Sequence, residues 1–191
     1  LKNIPNLQFL AKVSEAKLLK NWQGLGYYSR AKNLKKSAKI IIKNYNGKLP
    51  NDFEELKKLP GVGDYTASAI SAIVFNKSII PLDGNIERVL KRILNLKTDK
   101  ETKKKNLNKK KEIFGKTSRS SDYVQALMEM GALLCKPKKP YCDACPITKN
   151  CISFEKKDFE IKKKTKKVVD KFYLVTLYTN NDQLLLIKND K

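Results

Sequence analysis

Cysteine is absent from the first 134 residues and the last 40 of this 191-residue chain; all four fall in CKPKKPYCDACPITKNC, from Cys135 to Cys151. Such crowding serves either disulfides or a metal site. Acidic residues are also scarce, 19 against 41 basic ones, for a net charge of +22. An excess of this size attracts a polyanion, nucleic acid being the usual one. Arginine supplies only four of the basic residues, however, and lysine, isoleucine and asparagine are abundant. AT-rich codon usage would produce that mixture, so the charge alone makes DNA or RNA plausible and proves neither. No uninterrupted apolar run reaches membrane-spanning length; SAISAIVF (68–75) is what a buried helix supplies. Nothing at the start resembles a signal peptide, and Leu1 is not taken as the natural start.

What is present is enough apolar residue, 41%, to bury a core. Residues 1–135 read almost wholly as helix. Ser14 is expected to cap EAKLLKNWQ, whose Ala16, Leu18, Leu19 and Trp22 fall at helical spacing. Tyr28 to Tyr45 is a second helix with Ala31, Leu34, Ala38, Ile41 and Ile42 on its apolar face, stopped by Gly47. Asn51 is expected to cap DFEELKKL. TASAISAIVF, NIERVLKRILNL and DYVQALMEMGALL are further helices. Residues 98–114, rich in lysine, read as a solvated helix or pair of helices. The charged, aperiodic 154–171 reads as a linker, and FYLVTLYT and QLLLIK around NND (180–182) as a β-hairpin opening a second domain. A lone hairpin is marginal in water, so the chain is expected to be cut off within that domain.

Two stretches carry candidate chemistry. In LPGVGDYTASAI (59–70), Pro60, Gly61, Val62 and Gly63 join two helices. The glycines permit positive φ and close approach, and the next helix presents unpaired N–H groups and a positive dipole end, which suit a phosphate. The element is either a helix-hairpin-helix grip on a DNA backbone or an ordinary tight connection. In IIPLDGNIERVLKR (79–92), Asp83 precedes a helix. It is either a cap or a carboxylate facing a sugar carbon that develops positive charge.

Together LPGVG-x-x-TA, P-x-DGN-x-x-RVL and C-x6-C-x2-C-x5-C resemble the endonuclease III superfamily of base-excision DNA glycosylases. The resemblance covers nearly all of residues 1–155. Within that superfamily, WQGLGYYSRAKNL (22–34) and YVQALMEMGALLC (123–135) are similar to the MutY-type adenine DNA glycosylases, which remove adenine mispaired with 8-oxoguanine. A mostly α fold is thereby implied: a helix-hairpin-helix glycosylase domain over 1–153 with a cluster loop at 135–151, a Lys-rich linker at 154–171, and the start of a Nudix-like domain at 172–191. The resemblance implies a cytoplasmic, nucleoid-associated monomer acting on double-stranded DNA with a purine mispair, away from membranes. Structural disulfides do not suit that compartment. Zinc and an iron–sulfur cluster both suit four thiolates, and spacing alone does not separate them. The resemblance implies a [4Fe–4S] cluster on Cys135, Cys142, Cys145 and Cys151, with Lys136, Lys138 and Lys139 near phosphates.

Residue by residue, the resemblance makes Asp83 the anion that stabilises the sugar cation, with Asn85 hydrogen-bonding near it. Gly61, Val62 and Gly63 would hold the DNA backbone with Gln23; Tyr27 would wedge beside 8-oxoguanine while Tyr28 packs inward; Gln125 would touch the flipped adenine. Tyr65 stands where bifunctional relatives carry a nucleophilic lysine, and Glu87 where some relatives carry another. Both differences imply attack by water and no strand cutting. The family's general acid belongs to an SE-x-M-L-Q-Q-T-type motif that has no counterpart here, so the chain reads as truncated through its active site; Glu54 and Glu55 do not replace that acid. Two rival readings are an endonuclease III-type glycosylase/lyase for oxidised pyrimidines and a non-catalytic iron–sulfur DNA-binding module.

Overall fold

Three of the first four helices begin where a short polar side chain accepts a backbone amide. In the computed structural model, which describes residues 3–97, 117–161, 178–180 and 183–184, Asn6 caps α1 (Leu7–Lys12) through a 2.8 Å bond from Phe9 N–H. Ser14 caps α2 (Glu15–Trp22) at 3.3 Å from Lys17 N–H, as expected. Helix α3 (Tyr28–Asn44) has no side-chain cap and ends before Gly47, whose φ is +75°. For α4 (Phe53–Lys57) the cap is Asp52 and not Asn51. Asp52 takes the extended conformation and its Oδ1 accepts from Glu54 and Glu55 N–H at 2.9 and 3.0 Å. Asn51 instead offers its carbonyl to Lys77 Nζ.

Next come α5 (Asp64–Ile73), α6 (Gly84–Ile93) and α7 (Ser120–Leu133). A 3-10 turn at Thr148–Asn150 and the short α8 (Ile152–Glu155) close the cysteine loop. Strands β1 (Thr179–Asn180) and β2 (Gln183–Leu184) pair antiparallel, Thr179 opposite Leu184 and Asn180 opposite Gln183. Asn180, read as part of NND between the strands, thus belongs to a strand. The Lys-rich stretch 98–114, linker residues 162–171 and the outer ends of the hairpin lie outside the described residues. No described helix is long and apolar enough to cross a membrane.

The helices share three apolar cores in relay. Leu10, Leu18, Ala31 and Ala38 join α1, α2 and α3. Ile41, Leu56, Leu59 and Ala67 join α3, α4 and α5. Ala72, Ile86, Val89, Leu90, Val124 and Leu127 join α5, α6 and α7. Each fully buried Leu or Ile contributes roughly 1.5–3 kcal/mol, and α3 and α5 belong to two cores each, so they fix the functional loops relative to one another. The buried stripe is narrower than the sequence period suggests. Tyr28 is 44% exposed and Leu34 47%, and the buried positions of α3 are Ala31, Ser37, Ala38 and Ile41 alone. Tyr28 in the first turn therefore faces outward, not inward; Ala16 is exposed as well.

Candidate functional site

The connection between α4 and α5 is built for close approach. Gly61 has φ +79°, and a Cβ there would fall 3.0 Å from both Cβ and Nδ2 of Asn33 on α3. Ser37 Oγ donates to the Pro60 carbonyl at 3.0 Å. Val62 packs against the core formed by Leu56 and Leu59, so it anchors the hairpin from within. Gly63 supplies no side-chain cap to α5, which leaves that helix's first amides and positive dipole end facing outward. Tyr65, in the first turn of α5, is 45% exposed.

A second loop, between α2 and α3, carries three positive φ values: Gly24 at +87°, Gly26 at +65° and Tyr27 at +47°. Trp22 Nε1 donates to the Gly26 carbonyl at 2.9 Å, and the Arg30 guanidinium lies 5.4 Å from the Trp22 ring centroid. The ring of Tyr27 is left 81% exposed. Gln23, the C-cap of α2, is exposed beside it.

Asp83 is the cap of α6 and half-buried: its Oδ1 accepts from Asn85 and Ile86 N–H at 3.0 and 2.7 Å. One carboxylate oxygen is thereby fixed by the helix's positive end, and the other has no partner among the described residues. Asn85 supports Asp83 through its backbone amide; its side-chain oxygen instead accepts from Arg88 Nη2 at 2.9 Å. Arg88 also donates to the Gly131 carbonyl at 2.6 Å and to the Cys135 carbonyl at 2.7 Å. A single guanidinium thus ties the Asp83 turn to α7 and to the first cysteine. Glu87 forms a 2.8 Å ion pair with the buried Lys91. Gln125 lies exposed on α7, its amide donating to Ser121 Oγ at 3.1 Å.

All four cysteines line one pocket with the C-terminal parts of α6 and α7. Burial, followed by repulsion from the Cys135, Cys145 and Cys151 thiols, pushes the Cys142 thiol up; the four sulfurs share one electrostatic neighbourhood. Among the described residues no three of Cys, Asp or Glu converge tightly enough for a single ion. Arg92 is buried beside them. Its Nη1 donates to Cys135 Sγ at 3.4 Å and to the Lys136 carbonyl at 2.7 Å, and its Nη2 to the Pro137 carbonyl at 2.7 Å. Arg92 Nε has no acceptor among the described residues. Four thiols plus an unused guanidinium N–H fit a thiolate-bound, anionic group. Lys136, Lys138 and Lys139 are exposed on the loop outside.

The site therefore divides into an amide-rich hairpin, an aromatic loop, a capped carboxylate and a thiol pocket, held together by residues that sequence reasoning left without roles. Arg88, Arg92, Gly131 and Phe159 gain theirs only from partners more than 40 positions away. The basic residues Arg88, Lys91 and Arg92 in the later turns of α6 were the one visible signal.

Comparison with known proteins matches residues 1–114 to the HhH-GPD superfamily of base excision DNA repair proteins. An adenine DNA glycosylase of Buchnera aphidicola subsp. Baizongia pistaciae is 38% identical over 94% of this chain and 53% of its own length. The human adenine DNA glycosylase is 36% identical over 77% of this chain and 28% of its own. The chain spans about half the length of the Buchnera relatives it matches. The structure of a thermostable thymine-DNA glycosylase superposes with a TM-score of 0.68 at 29% identity, covering 79% of this chain and 70% of that one. An endonuclease III trapped in a covalent intermediate with DNA superposes at 0.63 with 28% identity, covering 80% and 71%. By sequence and by fold, the chain belongs to the HhH-GPD superfamily of base excision DNA repair proteins.

Proposed function

We propose that the chain is the glycosylase part of an adenine DNA glycosylase, hydrolysing the N-glycosidic bond of adenine mispaired with 8-oxoguanine or guanine. The observation that carries this reading is the Asp83 carboxylate, one oxygen held by two helix amides and the other without a partner among the described residues. Such an anion is fixed before the reaction and faces no reorganisation when positive charge develops on the sugar. Adenine must first leave the stack. The unpaired first amides of α5 take a phosphate beside Gly61 and Gly63, Tyr27 enters the stack beside the oxidised guanine, and Gln23 supports that loop. Gln125 releases Ser121 to contact the extruded base, and the exposed Tyr65 ring shields the sugar cation while water attacks. Asn85 keeps Asp83 in place.

Cys135, Cys142, Cys145 and Cys151 would hold a [4Fe–4S] cluster, which supplies a rigid, anionic tie for the loop rather than a reacting atom. The four thiols that line one pocket would supply its ligands, and Lys136, Lys138 and Lys139 then face phosphates. We further read residues 172–191 as the opening of a Nudix-like domain, 154–171 as its linker, and the protein as a monomer of the nucleoid.

The test uses the full-length protein and a duplex with adenine opposite 8-oxoguanine. Free adenine is expected, with an abasic strand that breaks only after base treatment and little borohydride-trapped adduct. Asp83→Asn is expected to abolish excision and leave mispair binding largely intact. Release of oxidised pyrimidines with efficient trapping would replace this reading with an endonuclease III-type lyase, and binding without any base release would leave a DNA-binding module.

A further inference from the structure

The segment after the cysteine loop turns back over the pocket. Lys157 has φ +51°, a reversal at a non-glycine residue, and Asp158 N–H bonds the Ser153 carbonyl at 2.9 Å. Lys97, just beyond α6, then holds the returning chain. Its Nζ reaches the Asp158 carboxylate at 2.5 Å, the Asp158 carbonyl at 3.4 Å and the Glu160 carbonyl at 3.2 Å. Grips on residues 158 and 160 from one side leave Phe159 to project to the other. There it lines the same pocket as the four cysteines, and its ring centroid lies 5.7 Å from the Arg92 guanidinium carbon. That guanidinium also bonds Cys135 Sγ. The sequence offered no reason to separate these residues from the linker.

We propose that residues 157–160 form a clasp over the cysteine pocket, with Phe159 as its cover and Lys97 as its latch, and that the clasp sets how fast a thiol-bound metal group enters and leaves. The proposal rests on the reading that such a group occupies the pocket. Arg92 joins cover to site: one face of its guanidinium carries the Phe159 ring and one edge serves a ligand sulfur. Opening the clasp exposes the thiols and removes the ring from a buried cation. The ring also keeps water and small oxidants from the sulfurs, which is the role of an apolar shell around a metal group.

The experiment follows metal release from the full chain, purified without air, into excess chelator, read by the dye–metal complex and by bleaching of the visible absorbance. Phe159→Ala is expected to release metal about tenfold faster, equivalent to a barrier lower by about 1.4 kcal/mol. Lys97→Met is expected to act in the same direction and Phe159→Leu to fall between. Lys156→Gln, outside the clasp, is expected to leave the rate unchanged. Wild-type rates in both Phe159→Ala and Lys97→Met overturn the proposal, and where Phe159→Ala does not fold, Lys97→Met alone decides. Metal and sulfide content of the wild type tests the cluster reading separately. Stoichiometric zinc without sulfide ends that reading, while zinc release still reports on the clasp. If the chain carries no metal, alkylation of its thiols by a bulky maleimide takes the place of release. Faster labelling of Phe159→Ala supports the clasp and equal labelling overturns it.

Discussion

Glu55 was set aside from catalysis on sequence grounds, and its surroundings give the physical reason. Its carboxylate accepts from Lys58 Nζ at 2.5 Å and from Tyr45 Oη at 2.7 Å. The Lys58 hydrogen bond, then the one from Tyr45, holds the carboxyl below its usual range, and the Glu55 carboxylate in turn pushes the Tyr45 phenol up. For Glu55 the stabilisation is present above its unfolded pKa of about 4.3 and is lost as pH falls through the depressed folded value. For Tyr45 it is present below about 10 and lost as pH rises through the raised folded value. Glu55→Gln is therefore expected to flatten part of the acid limb of a plot of melting temperature against pH. It should likewise flatten the part of the alkaline limb that Tyr45 contributes. The effect is small because the group is solvated; an unchanged profile at both ends would remove the coupling. At this scale the sequence was legible for Asp83 as the cap of α6. It was silent for Arg88 and Arg92, whose partners are distant carbonyls that no local pattern marks.

Helices were legible where start and stop signals are local. Ser14 and Gly47 act as read, and α5, α6 and α7 each begin one or two residues before the stretch read for them. Asn51 was misread because two adjacent residues can both cap, and only the backbone angles decide for Asp52. The short α1 had no strong period and was not singled out. The α6–α7 crossing was invisible in sequence, since it depends on Gly131 meeting Asn85 from another helix. A Cβ at Gly131 would sit 2.9 Å from Asn85 Cβ and 3.1 Å from its carbonyl oxygen. Gly131→Ala is accordingly expected to destabilise the protein by about 1–3 kcal/mol through overpacking, measured by denaturant unfolding. Because Asn85 is displaced with it, excision is expected to fall further than binding. A neutral Gly131→Ala would show that the crossing has slack.

Taken whole, the molecule lacks a single central core, and the thiol pocket closes the end of the α5–α7 core. Cys142→Ser is expected to lose bound metal, lower the melting temperature and weaken duplex binding, because an incomplete ligand set leaves the loop lysines unplaced. Metal analysis beside a binding isotherm at fixed salt checks this, and full metal content with normal affinity would contradict it. The thiols were readable as one group because all four lie within 17 consecutive residues. The wall they close on was not readable: Arg92 and Phe159 meet only after α6 and the returning chain have packed.

Tyr27 sits in the left-handed region with its ring almost wholly in solvent. A bulky residue held there costs of order 1–2 kcal/mol, and an exposed ring returns little of it by burial. Folding alone would favour glycine at this position, as at Gly24 and Gly26 on the same loop. Selection for heat resistance in the absence of DNA would therefore erode Tyr27 first, and libraries screened only for solubility would discard it. The loop keeps its tyrosine at the expense of the free protein's stability, a cost that the proposed entry of the ring into the DNA stack would offset.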